Sequence, residues 1–291
     1  MKKLSKYKHL ITAYIVSFIA IAVTILPITW LFLLSIKSKG ETFTKPPKWV
    51  FDPTIQNYID LWDNDLFKDT FVNSFFITLI SITLSIIIAI FAAYALKRYQ
   101  IRFKTAFMQW LLLAYMLPEF LFVLPMFAIY QSIGIYDTYI GMALIYQVHV
   151  LPFSIWMLRS FLEEIPKEID DAAYLDGCNP FQAIYKIYLP LIIPGIVATA
   201  ILNGIWVWNE LAIALGLTFF DAQPITVGVA SFRGYASINW GGMTGSAIIS
   251  MIPMILFVTF AQKHIVKGLT LGSCLLYTSP SPRDQRGSGM A

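Results

Sequence analysis

Six long apolar runs, at about 10–36, 72–96, 106–130, 139–158, 191–217 and 243–261, parted by polar stretches, leave this chain few folds to choose from. A helix needs about 20 apolar residues to cross the ~30 Å hydrocarbon layer. Lipid offers no hydrogen bonds, so each crossing segment must satisfy its own backbone, as a helix does. The runs predict an all-α, polytopic membrane protein with six transmembrane helices. Composition agrees: 13% of residues are charged, against about 25% in soluble domains.

Lysine and arginine orient the runs, because cytoplasmic loops carry the excess of both. Lys2, Lys3, Lys6 and Lys8 precede the first run, which is longer than the roughly 7 to 15 apolar residues of a signal peptide. Lys97, Arg98, Arg102 and Lys104 follow the second run with no acid among them, and Lys263, His264 and Lys267 follow the sixth. The loop QSIGIYDT has neither cation and belongs outside. Lys37, Lys39, Lys45, Lys48 and Lys68 count against an external position for 37–70. Its mixed charge and the alternation of the clearer loops place it outside all the same, as they do 218–242. Both termini are expected in the cytoplasm. The net charge of +4 sits in short loops, which speaks for topology rather than nucleic-acid binding. Cys178 and Cys274 imply no disulfide framework. His9, His149 and His264 lack ligand spacing, so no metal site is expected.

The polar stretch from Pro166 to Pro194, PKEIDDAAYLDGCNPFQAIYKIYLPLIIP, cannot lie in lipid. Each Asp or Lys at the centre of a spanning helix costs roughly 2.5–3.5 kcal/mol on the insertion scale. Pro166 suits a first helical position, and Glu168, Asp170 and Asp171 place negative charge in the early turns. Gly177 supplies a left-handed stop. Asn179 before Pro180 reads as the cap and first residue of a second helix. That helix is expected to break at Leu189-Pro190, since the residue before proline is pushed out of the α region. The result is a bent, exposed knob with small residues at Ala172 and Ala173.

At these residues the sequence resembles the permeases of bacterial ABC importers. Their cytoplasmic loop carries Glu-Ala-Ala, three residues, Gly, nine residues, then Ile-x-Leu-Pro. Asp171, Ala172, Ala173, Gly177, Ile187, Leu189 and Pro190 fall on that spacing. Asp171 in place of Glu is the departure, keeping the charge on a shorter arm. MLPEFLFVLPMFAIYQSIGIYDTYIGMALIY, LPFSIWMLRSFLEEIPKEIDDAA, WVWNELAIALGL and PITVGV are similar to the carbohydrate-uptake branch, in particular its six-span permease, whereas the first hundred residues match more loosely. The resemblance implies a coupling loop at about 159–190 that docks on a separate ATP-binding subunit dimer. It also implies a second, different permease, an extracytoplasmic solute-binding protein, and a sugar or oligosaccharide carried across the bacterial inner membrane. Glycerol phosphates, peptides, polyamines and amino acids are the alternative solutes. Asp171 would make a charge-assisted contact with the ATPase, Ala172 and Ala173 would allow close approach, and Gly177 would permit the turn.

No G-x-x-x-x-G-K-[ST] phosphate loop occurs, nor an H-E-x-x-H or nucleophile elbow. The chain is therefore expected to be non-catalytic and to bind no cofactor, with ATP and Mg on the partner ATPase. Ionisable and amide groups in a spanning helix are functional by default. Glu119, Gln147, Asn203, Asn209 and Glu210 are thus candidates for the substrate path, with Tyr146, Trp206 and Trp208 as stacking faces. Plainer roles compete: interfacial anchoring for Trp, and interhelical hydrogen bonds for the amides, worth about 0.6 kcal/mol on average. A secondary transporter would need more ionisable groups near the midplane and commonly an inverted repeat. An enzyme would need converging catalytic groups.

Residues 1–272, ending in GLTLG, are expected to form the permease domain. The remaining 273–291, SCLLYTSPSPRDQRGSGMA, differ in composition and look like a translated cloning scar. A disordered tail rich in Ser, Pro and Arg is the other reading.

Overall fold

The computed structural model describes the backbone of residues 2–42, 44, 46, 48–234 and 238–274, and the side chains of 10–259 within that range apart from 167 and 174. Nearly all of the tail, from residue 275 on, lies outside the described residues. The chain opens with α1 (Lys2–Ser35), α2 (Lys39–Thr42), α3 (Gln56–Trp62) and α4 (Asp65–Arg98). Next come α5 (Lys104–Met116), α6 (Phe120–Ile133), α7 (Tyr139–Glu163) and α8 (Lys167–Leu175). Then α9 (Pro180–Ala183) runs through a π-helical turn (Ile184–Tyr188) into α10 (Leu189–Asn209), followed by α11 (Ala212–Leu217), α12 (Ile225–Ser231) and α13 (Trp240–Cys274).

The protein is all-α and polytopic. Among the described residues, five helical stretches are long and apolar enough to cross a membrane, or six if α5 and α6 count as one crossing. The third apolar run, expected as one transmembrane helix, is two helices that meet at a bend of 92°. Leu117 precedes Pro118 and takes extended geometry, φ −68° and ψ 138°, which ends α5. The second proline of the run, Pro125, stays inside α6.

A second expectation fails at Leu189-Pro190, where the helix does not break. Leu189 keeps α geometry, φ −56° and ψ −49°, and its N–H reaches back five residues to the Ile184 carbonyl. This widened turn makes room for the proline ring, which a regular turn would press against the carbonyl four residues earlier. The second half of the polar stretch is therefore the start of one 30-residue helix, Pro180–Asn209.

The chain forms two compact units, Met1–Val72 with Ile225–Ile252, and Asn73–Pro224 with Pro253–Ala291. In the first, Asn57 Nδ2 donates to the Ser35 and Lys37 carbonyls at 2.8 and 2.9 Å, pinning the chain just after α1. Gly241 passes so near that a Cβ there would sit 2.3 Å from Asn57 Oδ1. Lys37 is buried, donating to the Lys48 carbonyl at 2.7 Å with the Phe51 ring 4.7 Å away. One of the lysines that argued against an external stretch is thus enclosed by rings and a carbonyl. The apolar window of α1 buries nothing within the chain, which suits a helix solvated by hydrocarbon.

The core of the second unit joins the last turns of α4 and α7 to α5 and the start of the long α9–α10 helix, through Ala89, Ala93, Leu111, Leu158, Tyr188 and Ile192. Toward the start of α7 the fastening is polar. Asp137, a non-glycine residue with φ 57°, accepts from the N–H groups of Phe219, Phe220, Asp221 and Ala222 at 2.8–3.0 Å. Burial pushes its carboxyl up, but the four donors outweigh that and hold it below its ordinary value. Asn73 grips the same turn, donating to the Asp221 and Gln223 carbonyls at 3.0 Å each.

Candidate functional site

Two groups of side chains in the second unit stand out, a polar spur and an acid–aromatic cluster. The spur is α8. Its first turn carries Glu168 and Asp170, where the helix dipole favours negative charge. Gly177 ends it at φ 74°, and the Cys178 N–H closes on the Ala173 carbonyl at 3.0 Å, the long bond of a Schellman stop. The chain restarts through a reciprocal cap: Asn179 Oδ1 accepts from the Gln182 N–H at 2.9 Å, and Gln182 Oε1 accepts from the Asn179 N–H at 3.0 Å.

Of the residues on the loop motif, Asp171, Ala172 and Gly177 are exposed, as is Pro190, while Ile187 and Leu189 are half-buried. Ala173 is buried, so its close approach is made within the chain, and Ala172 is the small residue left open. Leu175, Phe181 and Tyr185 project as exposed apolar groups.

Asp170, which the motif does not include, turns inward. Its Oδ2 lies 3.6 Å from Lys97 Nζ and 3.9 Å from Arg98 Nη1. Asp170 and Ala173 are three apart and share a helix face, and Lys97 and Arg98 end α4, but only packing decides that this face turns inward.

The second group forms around the break between α5 and α6. Trp206 Nε1 on α10 donates to Glu119 Oε1 at 3.2 Å. The His149 ring stacks on Trp206 at 3.9 Å and 10°, and Tyr115 lies 4.3 Å beyond it. Tyr146 meets Trp206 edge-on at 5.5 Å, and its hydroxyl donates to Glu210 Oε2 at 2.9 Å. Glu210 also accepts from the N–H groups of Ile213 and Ala214 at 2.7 and 3.1 Å, capping α11.

Four of the predicted path residues, Glu119, Tyr146, Trp206 and Glu210, are thus brought together, joined by His149 and Tyr115. A lone histidine without ligand spacing carried no sequence signal; its role comes from stacking. One face of Trp206 is covered by His149. Gln147 and Asn203 tie helices instead. Gln147 Nε2 donates to the Ser81 carbonyl at 3.1 Å, and Asn203 Nδ2 to Ser154 Oγ at 2.6 Å. Asn209 is exposed and donates to the Ile205 carbonyl of its own helix. Trp208 is buried.

Residues 82–271 match the family described as binding-protein-dependent transport system inner membrane component. Over 259 residues the chain is 36% identical to the trehalose transport system permease protein SugB of Mycobacterium tuberculosis (strain CDC 1551 / Oshkosh), covering 88% of this chain and 94% of that protein. It is 29% identical over 251 residues to the sulfoquinovosyl glycerol transport system permease protein SmoH of Agrobacterium fabrum (strain C58 / ATCC 33970), covering 84% and 87%. Its fold resembles a chain in the crystal structure of a bacterial ABC transporter involved in the import of the acidic polysaccharide alginate, with TM-score 0.74 and 22% identity over 89% of this chain and 96% of that one.

Proposed function

The chain belongs to the family of binding-protein-dependent transport system inner membrane components, and from that membership we propose that it carries a sugar or oligosaccharide, driven by ATP hydrolysed on a separate subunit. Membership makes it a non-catalytic, membrane-embedded permease subunit of an ABC importer, moving a solute.

The observation that carries the mechanism is the spur. A nine-residue helix, acidic at its start, leads to an exposed Leu175 and a left-handed stop, which supports insertion into a cleft of another protein. Asp171 and Ala172 face outward to meet the ATP-binding subunit. The spur leads directly into the 30-residue helix Pro180–Asn209, about 45 Å long at 1.5 Å per residue. A displacement at Pro180 therefore reaches Trp206 as motion of one body.

Glu119, about a third exposed, is the carboxylate of the cluster open to a ligand's hydroxyl groups. Its position at a broken helix suits a transport path, where irregular backbone is tolerated if it lines a cavity. In this reading the termini lie in the cytoplasm of a bacterial cell, ATP and Mg stay on the partner, and residues 1–272 form the permease domain. A second, different permease faces this one, and a solute-binding protein delivers the cargo from outside.

The sugar assignment is supported by the likeness to the trehalose permease and by the sequence blocks shared with the carbohydrate branch. Uptake of labelled trehalose, maltose and glycerol 3-phosphate, measured with and without this chain, tests it. Loss of sugar uptake on deletion is expected. Sugar uptake that survives deletion while glycerol 3-phosphate uptake disappears would overturn the substrate class and leave the permease role standing.

A further inference from the structure

We propose that Asp170 and Lys97 form a clamp that makes the coupling helix α8 and the end of α4 one rigid lever, a proposal that rests on the coupling role given to α8 above. Lys97 stands where several elements converge. Its Nζ lies 3.6 Å from Asp170 Oδ2 on α8, donates to the Ile165 carbonyl at 3.1 Å in the linker before α8, and sits 5.0 Å from the centre of the Tyr188 ring in the π-helical turn. Arg98 adds a second cation 3.9 Å from the same carboxylate oxygen. The two clamp side chains are enclosed, at 9% and 6% exposure.

Enclosure is what turns this ion pair into a joint. An exposed pair contributes little because water replaces either partner, whereas opening an enclosed pair strands a charge away from water. Without the clamp, α8 would be held by the short linkers at its two ends and by the packing of Ala173, and a push on its exposed face would be absorbed in those linkers. With it, the push passes to α4 through Lys97 and to α10 through Tyr188. Asp171 meets the motor; Asp170 and Lys97 are the positioning residues that keep the lever stiff.

Spin labels in place of Leu175 on α8 and Ile87 on α4, both exposed, read this stiffness directly. The labelled chain is purified in complex with its second permease and ATP-binding subunits and placed in lipid. The parent complex is expected to give one narrow distance, the same with ADP and with ATP trapped by vanadate. Asp170→Asn and Lys97→Met should each add a second, longer distance on trapping. The double variant should be no broader than either alone, as for two residues that act through each other. Variants that keep the single distance overturn the clamp, and so does a parent distance that changes with nucleotide. Lys97→Met leaves Arg98 beside Asp170 and decides the matter if Asp170→Asn fails to accumulate. A photo-cross-linking residue in place of Leu175 distinguishes docking from stiffness. No cross-link to the ATP-binding subunit overturns the docking role of α8, whereas a cross-link with unchanged variant distances overturns the clamp alone.

Discussion

The two ends of the second unit settle their acidic groups by different means. Where α4 and α7 finish, carboxylates meet cations: Asp170 with Lys97 and Arg98, and Glu163 with Arg159. Where α7 begins and α10 finishes, Asp137 and Glu210 accept from backbone N–H groups, with a tyrosine hydroxyl added at Glu210. The cause is written in the chain, since no Lys or Arg stands between Lys104 and Arg159 or between Lys186 and Arg233. With no such cation along these two stretches, the acids at this end are held by backbone dipoles instead. The ion pair of Asp170 with Lys97 is enclosed, so it holds α8 to α4. Hydrogen bonds of 2.7–3.1 Å are directional and lock a frame. In the coupling role proposed for the spur, the first end moves as one piece and the second holds still.

The sharpest way to break this contrast is at the moving end. Gly177 sits at φ 74° with nothing within 4 Å of a would-be Cβ, so Gly177→Trp strains the stop and obstructs the exposed spur without crowding the core. Solute uptake should fall about 10-fold or more, within the 5–150-fold range of typical couplings between sites, while the amount of protein in the membrane is unchanged. Uptake at the parent rate would remove the spur from the mechanism.

At the rigid end, Tyr146→Phe deletes the hydroxyl that donates to Glu210. Unfolding in detergent should show a loss of about 1–2 kcal/mol, unaltered by added salt because no cation takes part. A loss that shrinks with salt would mean that this end is ionic after all.

Asp137 gives a smaller effect that depends on pH. Its carboxyl is held below the ordinary 3.8 in the folded chain. Its stabilisation is therefore complete above about pH 4 and fades as the pH falls through the lowered folded value. Asp137→Asn should lower stability near neutrality and flatten the acid side of the profile. An unchanged acid limb in the variant would show that the four N–H contacts do not discriminate between carboxylate and carboxyl.

Asn209→Ala should do least, within about 0.5 kcal/mol, since its amide bonds to its own helix and faces outward. A larger loss would extend the rigid frame beyond Glu210.

Much of the spur is legible in the sequence. Gly177 as the stop and Asn179-Pro180 as the capped restart follow from local chemistry, which involves neighbours in the chain. The bend at Leu117-Pro118 and the π-helical turn before Pro190 are not. Each of Pro118, Pro125 and Pro190 can bend, break or be absorbed by a helix, and only neighbouring helices choose among those outcomes. The acid–aromatic cluster is half legible. Burial cost marks Glu119 and Glu210 as unusual in an apolar run, but nothing local says that His149 will cover Trp206 or that Asn203 will bond to Ser154.

From the order of its residues alone this chain was bound to be helical, to cross a membrane several times, and to present a polar spur, because hydrocarbon excludes charge and unpaired backbone. Which of the adjacent Asp170 and Asp171 faces inward depended on packing. Successive helical residues point about 100° apart, and the seat of α8 against α4 brings Lys97 and Arg98 to one carboxylate and leaves the other to water.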